Sequence, residues 1–425
     1  MALWLKIISL IALLAHGSAV AVDLAHEAKL QYLYVDSSAG PSMNTGMSTD
    51  MGPGMSTDTS TDMGAEDYSL LQGNYRFKLT QDVGAWSLDL HYVLGAAASD
   101  ASAGLEQDAG APSWFDWRAD IRRSDTQVVT HFIDRASLKY SGARWVAKLG
   151  RQAITWGNGN VFQVLDLFNP FAPAAMDTSY KPGVDLLYLQ RLFDSGAELQ
   201  GLWVPHKCGA ETEATGCRDS LALKYLGYWQ SLQFELMLAQ NYGDKQLGLG
   251  LVLPLGTALA KLDLLASELV LPPAAARQTL YSAVLNLQHS WQWRERPLNG
   301  FIEYYLNGFA DDVRSLDELA PGVRARLQRG QLFSLGRDQF AIGLQLQYSP
   351  LLTLAPTWIY QANDGSSLSL LTVNYNSSQS SNLVFGAQFA RGEPGSQYGG
   401  LFVDASRRQR LPSGDRFFLR YEYYF

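Results

Sequence analysis

The chain has 425 residues and a formal net charge of −8, from 33 Lys and Arg against 41 Asp and Glu. That balance argues against nucleic acid as a partner. Only 17% of residues are charged while 12% are aromatic, with 38 glycines and 21 tyrosines. A mean hydropathy near zero fits a barrel whose lumen residues offset its lipid-facing ones better than it fits a soluble domain.

Residues Met1 to Ala21 have the pattern of a secretory signal peptide. Lys6 supplies the positive charge, Ile7 to Ala15 the apolar core, and Ala19-Val20-Ala21 an A-x-A cleavage site. The apolar run is short of the ~20 residues a helical span requires, and no later stretch is long and apolar enough to be one. The expectation is a chain exported to the Gram-negative outer membrane, cleaved after Ala21. Residues 22–425 read as one domain, because no linker divides them.

From there on, large apolar residues alternate with polar ones at a period of two, the mark of a strand with unlike faces. Such segments recur at 28–36, 70–81, 84–95, 131–141, 144–153, 183–193, 196–204, 218–228, 230–241, 245–253, 256–268, 279–293, 297–308, 338–349, 352–361, 367–376, 381–391 and 415–425. Trp86, Leu88, Leu90, Tyr92 and Leu94 alternate with Ser87, Asp89 and His91. Phe340, Ile342, Leu344, Leu346 and Tyr348 alternate with Gln339, Gln345 and Gln347. Every connection from an even to an odd segment is short, whereas the long gaps 37–69, 96–130, 154–182, 309–337 and 392–414 all fall on the other side. This predicts an all-β fold, a transmembrane antiparallel β-barrel of about eighteen strands (sixteen to eighteen), with short periplasmic turns and long extracellular loops.

Within the first loop, 37–69, residues Ser42 to Gly64 repeat Met-Ser-Thr-Asp. Such a tract cannot bury enough apolar surface to fold and is expected to be a disordered outer loop. Cys208 and Cys217 are the only cysteines and enclose eight residues. In an exported chain, such a pair is expected to close a small loop as a disulfide. In 309–337, Leu316, Leu319, Val323 and Leu327 recur at helical spacing, but Pro321 and Gly322 should interrupt any long helix, leaving a short one at the barrel mouth. The last segment has Phe417, Leu419, Tyr421, Tyr423 and Phe425 on one face, with Arg416, Arg420 and Glu422 between them. A strand ending on Phe resembles the terminal signature of bacterial outer-membrane barrels. That resemblance makes Tyr421, Tyr423 and Phe425 the candidate signal for the barrel-assembly machinery.

Once faces are assigned, Lys29, Arg76, Lys78, Arg135, Lys139, Arg144, Lys148, Arg416 and Arg420 point inward on strands that closure makes neighbours, against Asp89 and Glu422. The remaining strands are balanced, with Arg191, Lys224 and Lys261 against Asp185, Glu198, Glu235, Asp263 and Glu303. A basic arc of wall favours anions. The same residues, paired with lumen carboxylates, would instead be the packing of a plugged barrel, and the sequence leaves both open.

The run Gly150-Arg151-Gln152, followed by Trp156-Gly157 and Gly159, resembles alginate-export-type outer-membrane barrels and related uncharacterised porin-like proteins. The resemblance covers about forty residues and implies a large barrel passing an anionic polysaccharide. In that reading 154–182 folds into the lumen as a constriction, with Arg151 and Lys181 as candidate solute contacts. The alternative is a rim loop packed on Trp156, Phe162, Phe168 and Phe171.

Beyond residue 22, histidine occurs only at 26, 91, 131, 206 and 289. None forms a Ser/His/acid arrangement, there is no Gly-x-Ser-x-Gly elbow, and no metal or cofactor ligand set is expected. The functional expectation is a channel passing polar, anionic solutes or polysaccharide, bounded by outer-membrane lipid, with no chemical step. The alternative is a plugged barrel docking a periplasmic or surface partner.

Overall fold

The structure is a computed structural model that describes residues 22–36, 67–101, 105, 113–207, 218–271, 276–404, 406, 410, 411 and 413–425. The signal-peptide segment, the Met-Ser-Thr-Asp tract and the Cys208–Cys217 pair lie outside the described residues. Nineteen strands are described: β1 (Val22–Asp36), β2 (Tyr68–Val83), β3 (Trp86–Ser99), β4 (Arg118–Arg123), β5 (Gln127–Ser141), β6 (Trp145–Gln152), β7 (Val184–Leu192), β8 (Glu198–Val204), β9 (Ser220–Trp229), β10 (Leu232–Asn241), β11 (Asp244–Leu255), β12 (Ala258–Leu271), β13 (Ala276–Trp293), β14 (Arg296–Leu306), β15 (Asp338–Ser349), β16 (Leu352–Gln361), β17 (Ser367–Ser378), β18 (Ser381–Arg391) and β19 (Asp415–Tyr424).

All pairings between these strands are antiparallel, and β1 hydrogen-bonds both β2 and β19. Eighteen strands thereby close a barrel, as the alternation predicts. Closure removes the free sheet edge that an open sheet would expose in lipid. The short turns lie at one end, as the parity argument requires. In the β13–β14 turn, Arg294 and Glu295 both take positive φ (49° and 64°), the conformation of a two-residue hairpin turn that matches strand twist.

The outer face is the apolar one. On β19, Leu419, Tyr421, Tyr423 and Phe425 are exposed, whereas Phe418, Arg420 and Glu422 point inward and are buried. The ring of Phe425 meets Tyr423 edge-on at 4.6 Å, and its backbone N–H donates to His26 O at 3.0 Å across the closing seam. Trp86, Trp145, Trp229, Trp293 and Tyr348 are exposed near the short turns, as in an interfacial aromatic girdle.

Two features depart from the sequence reading. The first strand begins at Val22 rather than residue 28, which brings Glu27 into the wall. Residues 96–130 are not all loop: β3 runs to Ser99, β5 starts at Gln127 and β4 lies between them. Ala96, Ala97 and Ala98 carry no large-residue alternation, which hides that end of β3. The short helix expected in the outer connection is present as α1 (Pro321–Gln328), which Pro321 opens and separates from a 3-10 turn at Leu316–Glu318; at the first helical position its missing N–H costs nothing.

The wall tolerates little change where a ring lies over a glycine. A Cβ added at Gly386 would run into the ring of Phe418. Gly386→Ala should therefore destabilise the barrel by about 1–3 kcal/mol, the usual cost of overpacking. The check is a lower temperature for loss of the compact, heat-modifiable band in gel electrophoresis.

Candidate pore constriction

Strand β6 stops at Gln152, and the chain turns into the lumen rather than up to the rim. Its place in the wall is taken by β4, which pairs with the outer half of β5 (Arg118 opposite Phe132) while β6 pairs with the inner half (Leu138 opposite Leu149). The wall stays closed, and 153–183 is free to line it from inside.

The path of that segment is fixed first by carboxylates of β12 and β14. Asp263 accepts from Asn158 N and Nδ2 at 2.6 and 2.7 Å. Glu303 accepts from the backbone N–H groups of Asn160, Val161 and Phe162 at 2.7, 2.9 and 2.7 Å, and from Asn286 Nδ2 at 2.8 Å. Three successive N–H groups aimed at one carboxylate form a nest for an anion. Apolar side chains complete the hold. Trp156, Leu165, Leu167 and Phe168 pack on Leu186, Tyr188, Leu202 and Met237, and the Trp156 indole donates to Gln200 Oε1 at 2.8 Å. Phe162 stacks on Tyr305 at 4.8 Å.

The segment then crosses to the opposite wall. Gln388 Nε2 donates to Ala174 O at 2.8 Å and Arg420 to Met176 O at 3.3 Å. Asp177 lies 2.9 Å from Lys29 Nζ and 3.6 Å from Arg420. The Tyr180 hydroxyl donates to Glu27 and accepts from Lys78, and Arg76 sits 3.9 Å above its ring. Lys181 pairs with Asp166 and donates to Ile154 O at 2.5 Å, which ties the two ends of the segment together.

The inward basic arc is therefore present, but most of it is neutralised. Lys29 meets Glu27, Asp177 and Glu422, Lys78 meets Glu27 at 2.9 Å, and Arg420 meets Glu422 at 2.8 Å. Arg76 and Arg135 share Asp134, at 2.6 and 2.9 Å. Asp134 escapes the alternation because the register of β3 on β5 shifts between His91 and Tyr92. A bulge of this kind can turn two successive residues to one face. Asp177 and Tyr180 belong to a loop with no period and carried no signal in the sequence.

Arg144 and Arg191, placed inward by the alternation, and Arg151 and Lys181, made solute contacts by the loop reading, sit otherwise. Arg144 lies in the exposed turn before β6 and pairs with Asp194 at 2.8 Å. Arg151 pairs with Asp185 at 3.6 Å, and that carboxylate also accepts from the Trp117 indole and Phe115 N, so the pair seals the β4 segment to β7. Lys181 is buried against Asp166. Arg191 stacks over Trp145 and Phe193 at 4.8 and 5.6 Å, and both rings are exposed. By contrast, Lys139 and Lys148 stand opposite each other across β5 and β6. Neither forms an ion pair among the described residues, and Lys148 Nζ lies 5.7 Å from the Tyr188 ring. Arg416, opposite Val35 and Gln388 at the outer end of the arc, likewise forms none.

Outside the strands, burial pushes the Asp166 carboxyl up to about 6 despite Lys181, and pushes the Lys181 ammonium down. Burial also acts to raise Asp177, but Arg420, Lys29 and the hydrogen bonds from Ser179 outweigh it and hold that carboxyl at about 2.

The same architecture occurs in solved Gram-negative outer-membrane porins. OccAB1 of Acinetobacter baumannii superposes with a TM-score of 0.54 at 10% identity, covering 95% of this chain and 96% of that one. A BenF-like porin from Pseudomonas fluorescens gives 0.53 at 12%, covering 95% and 98%. OpdK of Pseudomonas aeruginosa, solved with vanillate, gives 0.50 at 11%, covering 95% and 98%. No protein-family model matches the sequence, and no curated protein does. The likeness shows the fold, a closed antiparallel β-barrel of the kind these porins have, and at the level of the fold the porin-like side of the sequence resemblance stands.

Two outcomes follow for the constriction. Glu303→Ala strips the acceptor from three loop N–H groups, each costing about 1–3 kcal/mol if left buried and unpaired. Hydrogen exchange at residues 158–163 should then accelerate while the strands stay protected. For Asp177, whose folded-state carboxyl is depressed, the stabilisation is complete above its ordinary value near 4 and is lost as pH falls through about 2. Current noise from loop motion should therefore rise between about pH 4 and pH 2 in the native protein and already be present at neutral pH in Asp177→Asn.

Proposed function

We propose that the protein is an outer-membrane channel for small polar solutes, with a preference for anions. The observation that carries this is the distribution of unneutralised charge. The middle of the basic arc is paired with carboxylates, but among the described residues Lys139 and Lys148 at the periplasmic end, with Asp89 the nearby carboxylate acting on Lys148, and Arg416 at the outer end form no ion pair. Two lysines directly opposite each other repel, and a passing anion relieves that repulsion. Positive ends on a neutralised middle admit anions without trapping them, as conduction requires.

Export of an anionic polysaccharide is the less favoured reading. Residues 153–183 touch the wall from β8 round to β2, which leaves little breadth for a polymer. Delivery of the chain is read in the same spirit, with Met1–Ala21 as a cleaved export signal and Tyr421, Tyr423 and Phe425 as the signature met by the barrel-assembly machinery. The plugged-barrel alternative draws on the outer mouth, where 307–337 and 392–411 dock on each other. Leu316 N donates to Phe402 O at 2.9 Å, and Leu316, Leu319, Leu335 and Leu411 form one cluster.

The test is a reversal potential in a planar bilayer under a salt gradient. The native barrel should give an anion-biased value. Lys139→Gln/Lys148→Gln should lower the anion-to-cation permeability ratio about threefold, the effect of roughly 0.7 kcal/mol of solvent-screened Coulomb energy. An unchanged ratio rejects the proposal, and a folded but silent native barrel favours the plug.

A further inference from the structure

Arginines stand on the apolar outer face at its short-turn end, where the period of two calls for apolar side chains. Along β7 and into its turn the outward row is Leu187, Leu189, Arg191 and Phe193, and the three apolar members are exposed. Arg191 is opposite Trp145, and its guanidinium lies 4.8 Å from that ring and 5.6 Å from the Phe193 ring. The same device recurs further round the barrel, at the β13–β14 turn. Arg296 is opposite the outward Trp293 and sits 4.0 Å over the exposed ring of Tyr348, while Arg294 sits 5.1 Å over Trp293. Each guanidinium thus uses its face on a ring and keeps the N–H donors of its edge. Among the described residues, none of these three side chains forms an ion pair or a hydrogen bond. The carboxylates of the two turns are not their partners. Asp194 is taken by Arg144 at 2.8 Å, and Glu295, between Arg294 and Arg296, pairs with neither.

We infer that Arg191, Arg294 and Arg296 bind the phosphates of anionic phospholipids in the leaflet around the short-turn rim. A cation in an outward row is tolerable only where its head reaches the interface, and the exposed Trp145, Trp293 and Tyr348 mark that level. The rings hold the guanidiniums in place, so little side-chain freedom remains to be lost when a phosphate arrives. The free edge of a guanidinium is a planar fork that meets two phosphate oxygens at once. A lipid of net negative charge is the occupant that complements these unpaired cations, and its charge adds attraction at longer range. All three arginines point away from the lumen, so the sites are separate from any selectivity for solutes. The inference rests on reading the chain as a membrane barrel, and not on conduction.

Vesicles made from equal parts of phosphatidylglycerol and phosphatidylcholine test this. The refolded native barrel should float with them. Native mass spectrometry of the barrel released in mild detergent should then show phosphatidylglycerol bound in at least about fivefold excess over phosphatidylcholine, the worth of one arginine near a charged surface. Arg191→Gln/Arg294→Gln/Arg296→Gln should float equally well and bring the two lipids to parity. In the native barrel the excess should also shrink as salt is raised to about 1 M. Parity on the native barrel, an excess that survives the triple substitution, or one indifferent to salt overturns the inference alone. A native barrel that stays out of the vesicles overturns it together with the membrane reading. Lipid preference in a barrel that never conducts would sink the channel reading and keep the arginine sites.

Discussion

A chain segment threaded through a barrel must find acceptors for the N–H groups it carries inside, and this requirement governs the arrangement of the lumen. Glu303 and Asp263 meet it for residues 158–162. These carboxylates are costly to bury alone, and the loop N–H groups are costly to bury without them. Each makes the other tolerable. Once 158–162 is fixed on β12 and β14, the length of the segment carries 174–181 across to β18, β19, β1 and β2, where the opposite charge is waiting.

That second contact explains why a wall with so many inward cations can be stable. Along β19, β1, β2 and β5 the charges alternate in space: Arg420, Glu422, Lys29, Glu27, Lys78, then Arg76 and Asp134. Buried pairs of this kind add little net stability against apolar packing, but breaking one leaves an uncompensated charge. They act more as constraints on position than as sources of strength, and they fix where the remaining open charge must lie.

Much of the barrel was legible in the sequence because an apolar outer face and a polar lumen impose a period of two on every strand. The row Leu419, Tyr421, Tyr423 against Arg420, Glu422 is readable without coordinates, and so is the asymmetry of turns and loops. What escaped has physical reasons. Asp134 follows a bulge that breaks the period, and Glu27 precedes the point where large residues begin to alternate. Ala96 to Ala98 are too small to mark a strand. The alternation gives the correct face for Lys29, Arg76 and Arg420 but is silent on whether each is neutralised, since Asp177 approaches from a segment distant in sequence. Arg151 and Lys181 stand out by motif, and the folded chain uses both to hold itself together.

The partners of Asp177 come from the two ends of the barrel sheet. Lys29 lies on the first strand and Arg420 on the last, and these strands are neighbours only after the cylinder has closed. Until then the loop carboxylate faces one cation at most. Docking of the inner loop and joining of the seam are therefore a single cooperative event, and a barrel caught half-closed would hold its constriction loosely. The loop acts as an internal strut that tightens only when the circle is complete.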